Sequence, residues 1–125
     1  MHAVEKLLAE KAGRKEVRPG EIVNCDVDLA GINDLYLQTV RSFFEMGGER
    51  AFDPDKIVMF FDHYAPCATI TQAENHKQFR EFCFSQGIEK LMDIDQGVCH
   101  QVLADKGWVH PGEIVVVTDS HTTTH

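Results

Sequence analysis

Acids and histidines recur together in this sequence, each time where an apolar run stops. Asp62–His63 closes residues 57–63 (IVMFFDH), and Asp119–Ser120–His121 closes residues 113–121 (EIVVVTDSH). His100, in GVCHQ, is a third candidate. A histidine held by a carboxylate keeps one tautomer and suits proton donation near neutral pH. The competing reading is structural: an acid at a strand end caps a helix and a histidine fills the rim. For one such motif the structural reading is the default; two at predicted strand ends bring the readings level. A hydrolase triad through Ser120 is disfavoured, because no Gly-x-Ser-x-Gly elbow surrounds it. His121 and His125 stand four apart, a chelating interval on a helix, but a mobile tail is the simpler reading there. His2, His76 and His110 read as surface residues, and Trp108 as a core or interface anchor.

The elements that must position these groups follow from periodicity. The short β-branched runs at 57–61 and 114–117 read as strands buried on both faces, as in a parallel sheet. Ligands bind at the carboxyl edge of such sheets, which is where both acid–histidine motifs fall. Residues 3–12 carry a helical stripe, with Gly13 as its stop. Residues 21–29 alternate apolar and polar, which predicts a half-buried strand, antiparallel or at an edge. Asn33–Asp34 reads as the cap of a helix running to Met46. Thr71 and Glu74 form a capping-box pattern for a helix ending at Gly87, with Phe79, Phe82 and Cys83 as its core face. Residues 88–94 read as a short third strand, and residues 98–103 as the start of a short helix. The alternation predicts an α/β fold with a mostly parallel sheet, right-handed crossovers and flanking helices. No repeat or linker interrupts it, so residues 1–125 read as a single partial domain. Ending four residues after the most site-like motif, the chain looks cut short, and exposed apolar surface is expected.

Composition narrows the function classes. Apolar residues make up 43% and the formal net charge is −8. That balance argues against nucleic acid and anionic membrane as partners, since both reward Lys and Arg. There is no apolar run long enough to span a bilayer and no signal-peptide order at the start, so a cytoplasmic location is the default. The cysteines Cys25, Cys67, Cys83 and Cys99 contain no Cys-x-x-Cys. They read as reduced, mostly buried thiols rather than as metal ligands.

Taken together, the motifs resemble the N-terminal part of the large subunit of 3-isopropylmalate dehydratase, within the aconitase superfamily. The resemblance rests on PGEIV (19–23), on Asn33, Asp34 and Gln38, and on FDH (61–63). It continues through AENHKQFREF (73–82), GVCHQ (97–101), HPGEIVV (110–116) and TDSHT (118–122), and covers essentially the whole chain. It implies a hydro-lyase that removes water from a 2-hydroxy acid and adds it back at the neighbouring carbon. A [4Fe–4S] cluster acts as the Lewis acid, with its cysteines expected beyond residue 125 and no metal ligand within this chain. The resemblance places Asp62 and His63 as an acid pair beside the leaving hydroxyl and pairs Asp119 with His100. It puts Ser120 and Gln38 on substrate carboxylate and His121 near the oxygen that the iron binds. Tyr36 and Leu37 depart from the family pattern, which has smaller residues there. The catalytic base is expected in a separate small subunit. Homoaconitase and 2,3-dimethylmalate dehydratase share these motifs. A reading of a different class is a non-catalytic truncated domain that binds carboxylates at the same sheet edge.

Overall fold

The computed structural model describes residues 1–124. Four strands form one parallel sheet: β1 (Leu29–Asn33), β2 (Ile57–Phe60), β3 (Leu91–Met92) and β4 (Val115–Val117), in the spatial order β3-β2-β1-β4. The helices are α1 (Ala3–Lys11), α2 (Leu37–Glu45), α3 (Ile70–Gln86) and α4 (Cys99–Asp105). Short 3-10 turns occupy Pro54–Lys56 and Thr122–Thr124. The α/β class and the parallel sheet expected from the alternation are therefore observed.

The sheet separates two cores, and strand parity decides which residue joins which. Met59 and Phe61 face α2 and α3, where they pack with Leu37, Val40, Phe79, Phe82 and Cys83. Val58 and Phe60 face the other way, onto Cys99, Val102 and Leu103 of α4. All four β2-region side chains are essentially buried, so β2 is the two-sided strand its apolar run predicts. Gly31 makes the close packing of β1 possible. A Cβ there would lie 3.0 Å from a Val117 methyl and 3.3 Å from the Phe60 ring.

Three expectations are corrected. β4 is an edge strand, and Val116, which pairs with Ala30, is 52% exposed rather than buried on both faces. Residues 21–28 form no strand; the ladder begins at Leu29. The earlier segment is held instead by single bonds: Asp26 N–H donates to Lys11 O, Cys25 Sγ to Leu8 O, and Asp28 N–H to Ile114 O. Of its apolar set, Val23 and Cys25 are half-buried and Val27 is exposed. Third, α3 starts earlier than expected. Thr69 is its cap, accepting from Gln72 N–H at 3.2 Å, and Gly87 ends it in the left-handed conformation.

Candidate active site

The chain winds β1, β2 and β3 to one side and then crosses to place β4 on the other side of β1. That reversal of direction opens a crevice at the carboxyl ends of β1 and β4. Asn33 ends β1 and is fully buried. Its amide Nδ2 donates to Asp119 Oδ2 at 3.2 Å, its carbonyl accepts from Thr118 Oγ1, and its backbone N–H donates to that same hydroxyl at 3.0 Å. The two strand ends are thus locked together just beyond the ladder.

Asp119 is the hub of the crevice. Its Oδ1 lies 2.8 Å from His100 Nε2 and accepts the His121 backbone N–H at 2.8 Å. Its Oδ2 lies 3.4 Å from His63 Nε2. The His121 N–H bond holds the Asp119 carboxyl below the usual carboxylate range; desolvation opposes this, and the bond to His100 adds to it. At its other ring nitrogen, His63 Nδ1 lies 2.8 Å from Asp62 Oδ1. Whichever tautomer His63 adopts, its N–H has a carboxylate to meet. Asp62 also accepts the Cys99 N–H at 2.8 Å, so it satisfies an orphan donor in the first turn of α4. The capping role and the histidine-holding role therefore coexist in one side chain. Beside it, Phe61, Asp62, Ala65, Asp95, Gly97 and Val98 line a hollow of about 180 Å³.

Two further residues join the candidates: Asp34, which the sequence offered as a helix cap and motif residue, and His76, which it offered as a surface residue. The Asp34 carboxylate is buried, accepting the backbone N–H of His63 at 3.1 Å and of Tyr64 at 2.9 Å. His76 Nε2 lies 2.8 Å from Asp34 Oδ2, and the ring stacks on Phe61 at 4.1 Å. His76 is 1% exposed, which corrects its reading as a surface residue. Asp34 does not cap α2, which starts at Leu37 after Tyr36. Parity explains the division of labour: Asn33 turns toward β4, and Asp34, one residue on, turns toward α3.

The structure thus brings Asp62, His63, His100, Asp119 and His121 into one cluster, in which the hydrogen-bonded Asp62–His63 pair meets the hydrogen-bonded His100–Asp119–His121 set across the 3.4 Å His63–Asp119 contact. Ser120 Oγ joins it through His121 Nδ1 at 3.1 Å, although both of these side chains are largely exposed. Gln38 is not drawn in: it lies exposed in the first turn of α2, with Nε2 donating to Ser42 Oγ. His125, considered with His121 as a chelating pair, lies outside the described residues. His2 and His110 are exposed, as expected, and Trp108 packs against the α4 core.

Thiolates hold [4Fe–4S] clusters, and the cysteines here do not fit that task. Cys83 and Cys99 lie in the two separate cores. Burial pushes their thiols up, to about 11 for Cys83 and, with Asp62 adjacent, about 12 for Cys99. Among the described residues, the one group of possible metal ligands close enough to share an ion is Asp34, Asp62 and His63, with no cysteine in it. No step is therefore assigned to a cluster on this chain.

Residues 5–125 match the family model described as the aconitase family (aconitate hydratase). The chain belongs to the aconitase family. It is 49% identical, over all of its length, to a probable 3-isopropylmalate dehydratase large subunit of Methanothermobacter thermautotrophicus. It is also 45% identical, again over all of its length, to a probable methanogen homoaconitase large subunit of that organism. A 3-isopropylmalate dehydratase large subunit of Aquifex aeolicus is 40% identical over the whole chain. This aconitase-family chain spans 30%, 30% and 29% of those relatives. No helix among its described residues is long and apolar enough to cross a membrane.

Proposed function

We propose that these residues are the N-terminal piece of the large subunit of a hydro-lyase of the isopropylmalate dehydratase type. Such an enzyme dehydrates and rehydrates a 2-hydroxy acid such as 3-isopropylmalate. The observation that supports this best is His63, whose ring nitrogens lie 2.8 Å from Asp62 and 3.4 Å from Asp119 at the sheet edge of an aconitase-family chain. Loss of water needs a proton delivered to the leaving hydroxyl and a base at the neighbouring carbon. His63 with Asp62 holds the proton for the hydroxyl. Asp119 fixes the His100 ring by its 2.8 Å bond. Ser120 and Gln38 bind substrate carboxylate, Gln38 once substrate draws its side chain from Ser42. His121 stands at the reacting oxygen. The base comes from a small-subunit partner.

The thiolates of the [4Fe–4S] cluster that the family uses come from outside these 125 residues, which alone hold neither cluster nor full activity. Iron at about four atoms per isolated chain, measured after anaerobic reconstitution, overturns that statement. The location proposed is cytoplasmic, with neither nucleic acid nor membrane as a partner.

The test uses the full-length large subunit that contains this segment, co-expressed with its small subunit and assayed anaerobically on 3-isopropylmalate. His63→Ala is expected to lower kcat about 10²–10⁴-fold with the fold intact. Undiminished activity removes His63 from the reaction. A wild-type complex inert toward 3-isopropylmalate but active on a longer tricarboxylic 2-hydroxy acid favours a homoaconitase, the second reading, which the 45% identical relative supports.

A further inference from the structure

Behind the strand-end cluster, a second set of side chains lines up in order. Cys67 Sγ lies 3.2 Å from His76 Nδ1, and His76 Nε2 lies 2.8 Å from Asp34 Oδ2. We propose that Cys67 is a nucleophilic thiol served by His76 as base and Asp34 as orienting acid, and that it is a site of covalent modification by small carbon electrophiles. An ionised carboxylate only accepts hydrogen bonds, so the bond to Asp34 assigns the His76 proton to Nε2. Nδ1 then turns its lone pair to the thiol. A nucleophile, a base within hydrogen-bond reach and a third group fixing the base is the arrangement that activates a thiol.

Two further features favour this cysteine over the other three. The His76 ring cannot swing away, because it lies flat on Phe61, with 9° between the planes. The Arg80 guanidinium, held by Asp93 at 2.6 and 2.7 Å, sits 5.0 Å from the centroid of that same Phe61 ring. Partial exposure marks reactive cysteines. Cys67 is half-buried and reachable, whereas Cys83 and Cys99 are buried. Cys25 is half-buried as well, but its Sγ meets only the Leu8 carbonyl among the described bonds.

In the reaction the thiol proton moves to His76 Nδ1, a sulfur–carbon bond forms, and the leaving group departs with the electron pair of the bond it breaks. The adduct removes the S–H that faced Nδ1. Asp34 also holds the His63 and Tyr64 backbone N–H groups, so two side chains, His76 and Asp34, connect the modified thiol to the strand-end loop.

The experiment measures iodoacetamide labelling of each cysteine by mass spectrometry, in the native 125-residue chain and in concentrated urea. Folding is expected to raise the Cys67 rate about tenfold while slowing the other three. A native Cys67 rate at or below its rate in urea overturns the proposal. His76→Gln keeps a donor for Asp34 but removes the base. With the circular dichroism spectrum unchanged, Cys67 should fall to the rate of Cys25, and an unchanged Cys67 rate overturns the proposal. If this variant does not fold, the comparison of native and unfolded wild type decides alone.

Discussion

At the scale of single residues, Asp34 has the most to lose. Its carboxylate receives three donors, the N–H groups of His63 and Tyr64 and the His76 ring, in a fully enclosed position. Removing it strands all three, and each unsatisfied buried donor costs about 1–3 kcal/mol. Asp34→Ala is therefore expected to destabilise the chain by about 3 kcal/mol or more, read as a shift in the urea midpoint. A midpoint within error of wild type would mean that water replaces the carboxylate without loss. The residue was named in the sequence but misread as a helix cap. Its partner His76 was missed for a related reason. AENHKQ is polar enough to pass for a solvent face, and only the Asp34 carboxylate and the Phe61 ring, 42 and 15 positions away, make burial of an imidazole tolerable. The strand-end acids and histidines were legible because chemistry at a sheet edge requires that order of residue types. Their mutual distances were not, since these depend on which strands become neighbours.

At the scale of elements, the apolar runs told the truth about β2 and the crossover order but not about β1. Residues 21–28 alternate more cleanly than LAGIN, and Ala30 and Gly31 are poor strand formers. What makes Leu29–Asn33 a strand is its central place, with β2 on one side and β4 on the other. Gly31 is the condition for that closeness, so Gly31→Ala forces a methyl against Val117 and Phe60. The expected loss is about 1–3 kcal/mol, the usual cost of overpacking. Thermal unfolding checks it, and pairing Gly31→Ala with Val117→Ala should recover part of the loss by making room. Failure of the second change to recover anything would place the strain elsewhere.

At the scale of the whole molecule, charge sets the acid limit. Asp28, held chiefly by the Lys11 side chain, Asp93, held chiefly by Arg80, and Asp119, held chiefly by the His121 N–H, all titrate below the ordinary carboxylate value of 3.8. A depressed folded value gives stability that is present above the ordinary value and lost as pH falls from there through the folded value. Thermal midpoints should therefore hold between about pH 7 and 5 and drop steeply below about 4. The Lys11 and Arg80 shifts are upward, so their share stays in place until pH rises toward their own alkaline range. Asp93→Asn should flatten the acid drop, and an unchanged slope would show that the Arg80 pair does not carry it.

The sheet order also has a consequence in time. The bond from Ile114 N–H to Asp28, where β4 meets β1, spans 86 residues of chain, the same interval that separates Asn33 from Asp119. Long closures are slow to form, because the chain loses its freedom before any contact rewards it. β1, β2, α3 and β3 assemble from nearer neighbours and bury the α2–α3 core without β4. In hydrogen exchange during refolding, the Val58–Phe60 amides should therefore be protected before the Val117 and Thr118 amides, and simultaneous protection would contradict this order. His63 and His100 meet across Asp119 only when the longest closure is made, so the acid–histidine cluster is the last part of the molecule to come into existence.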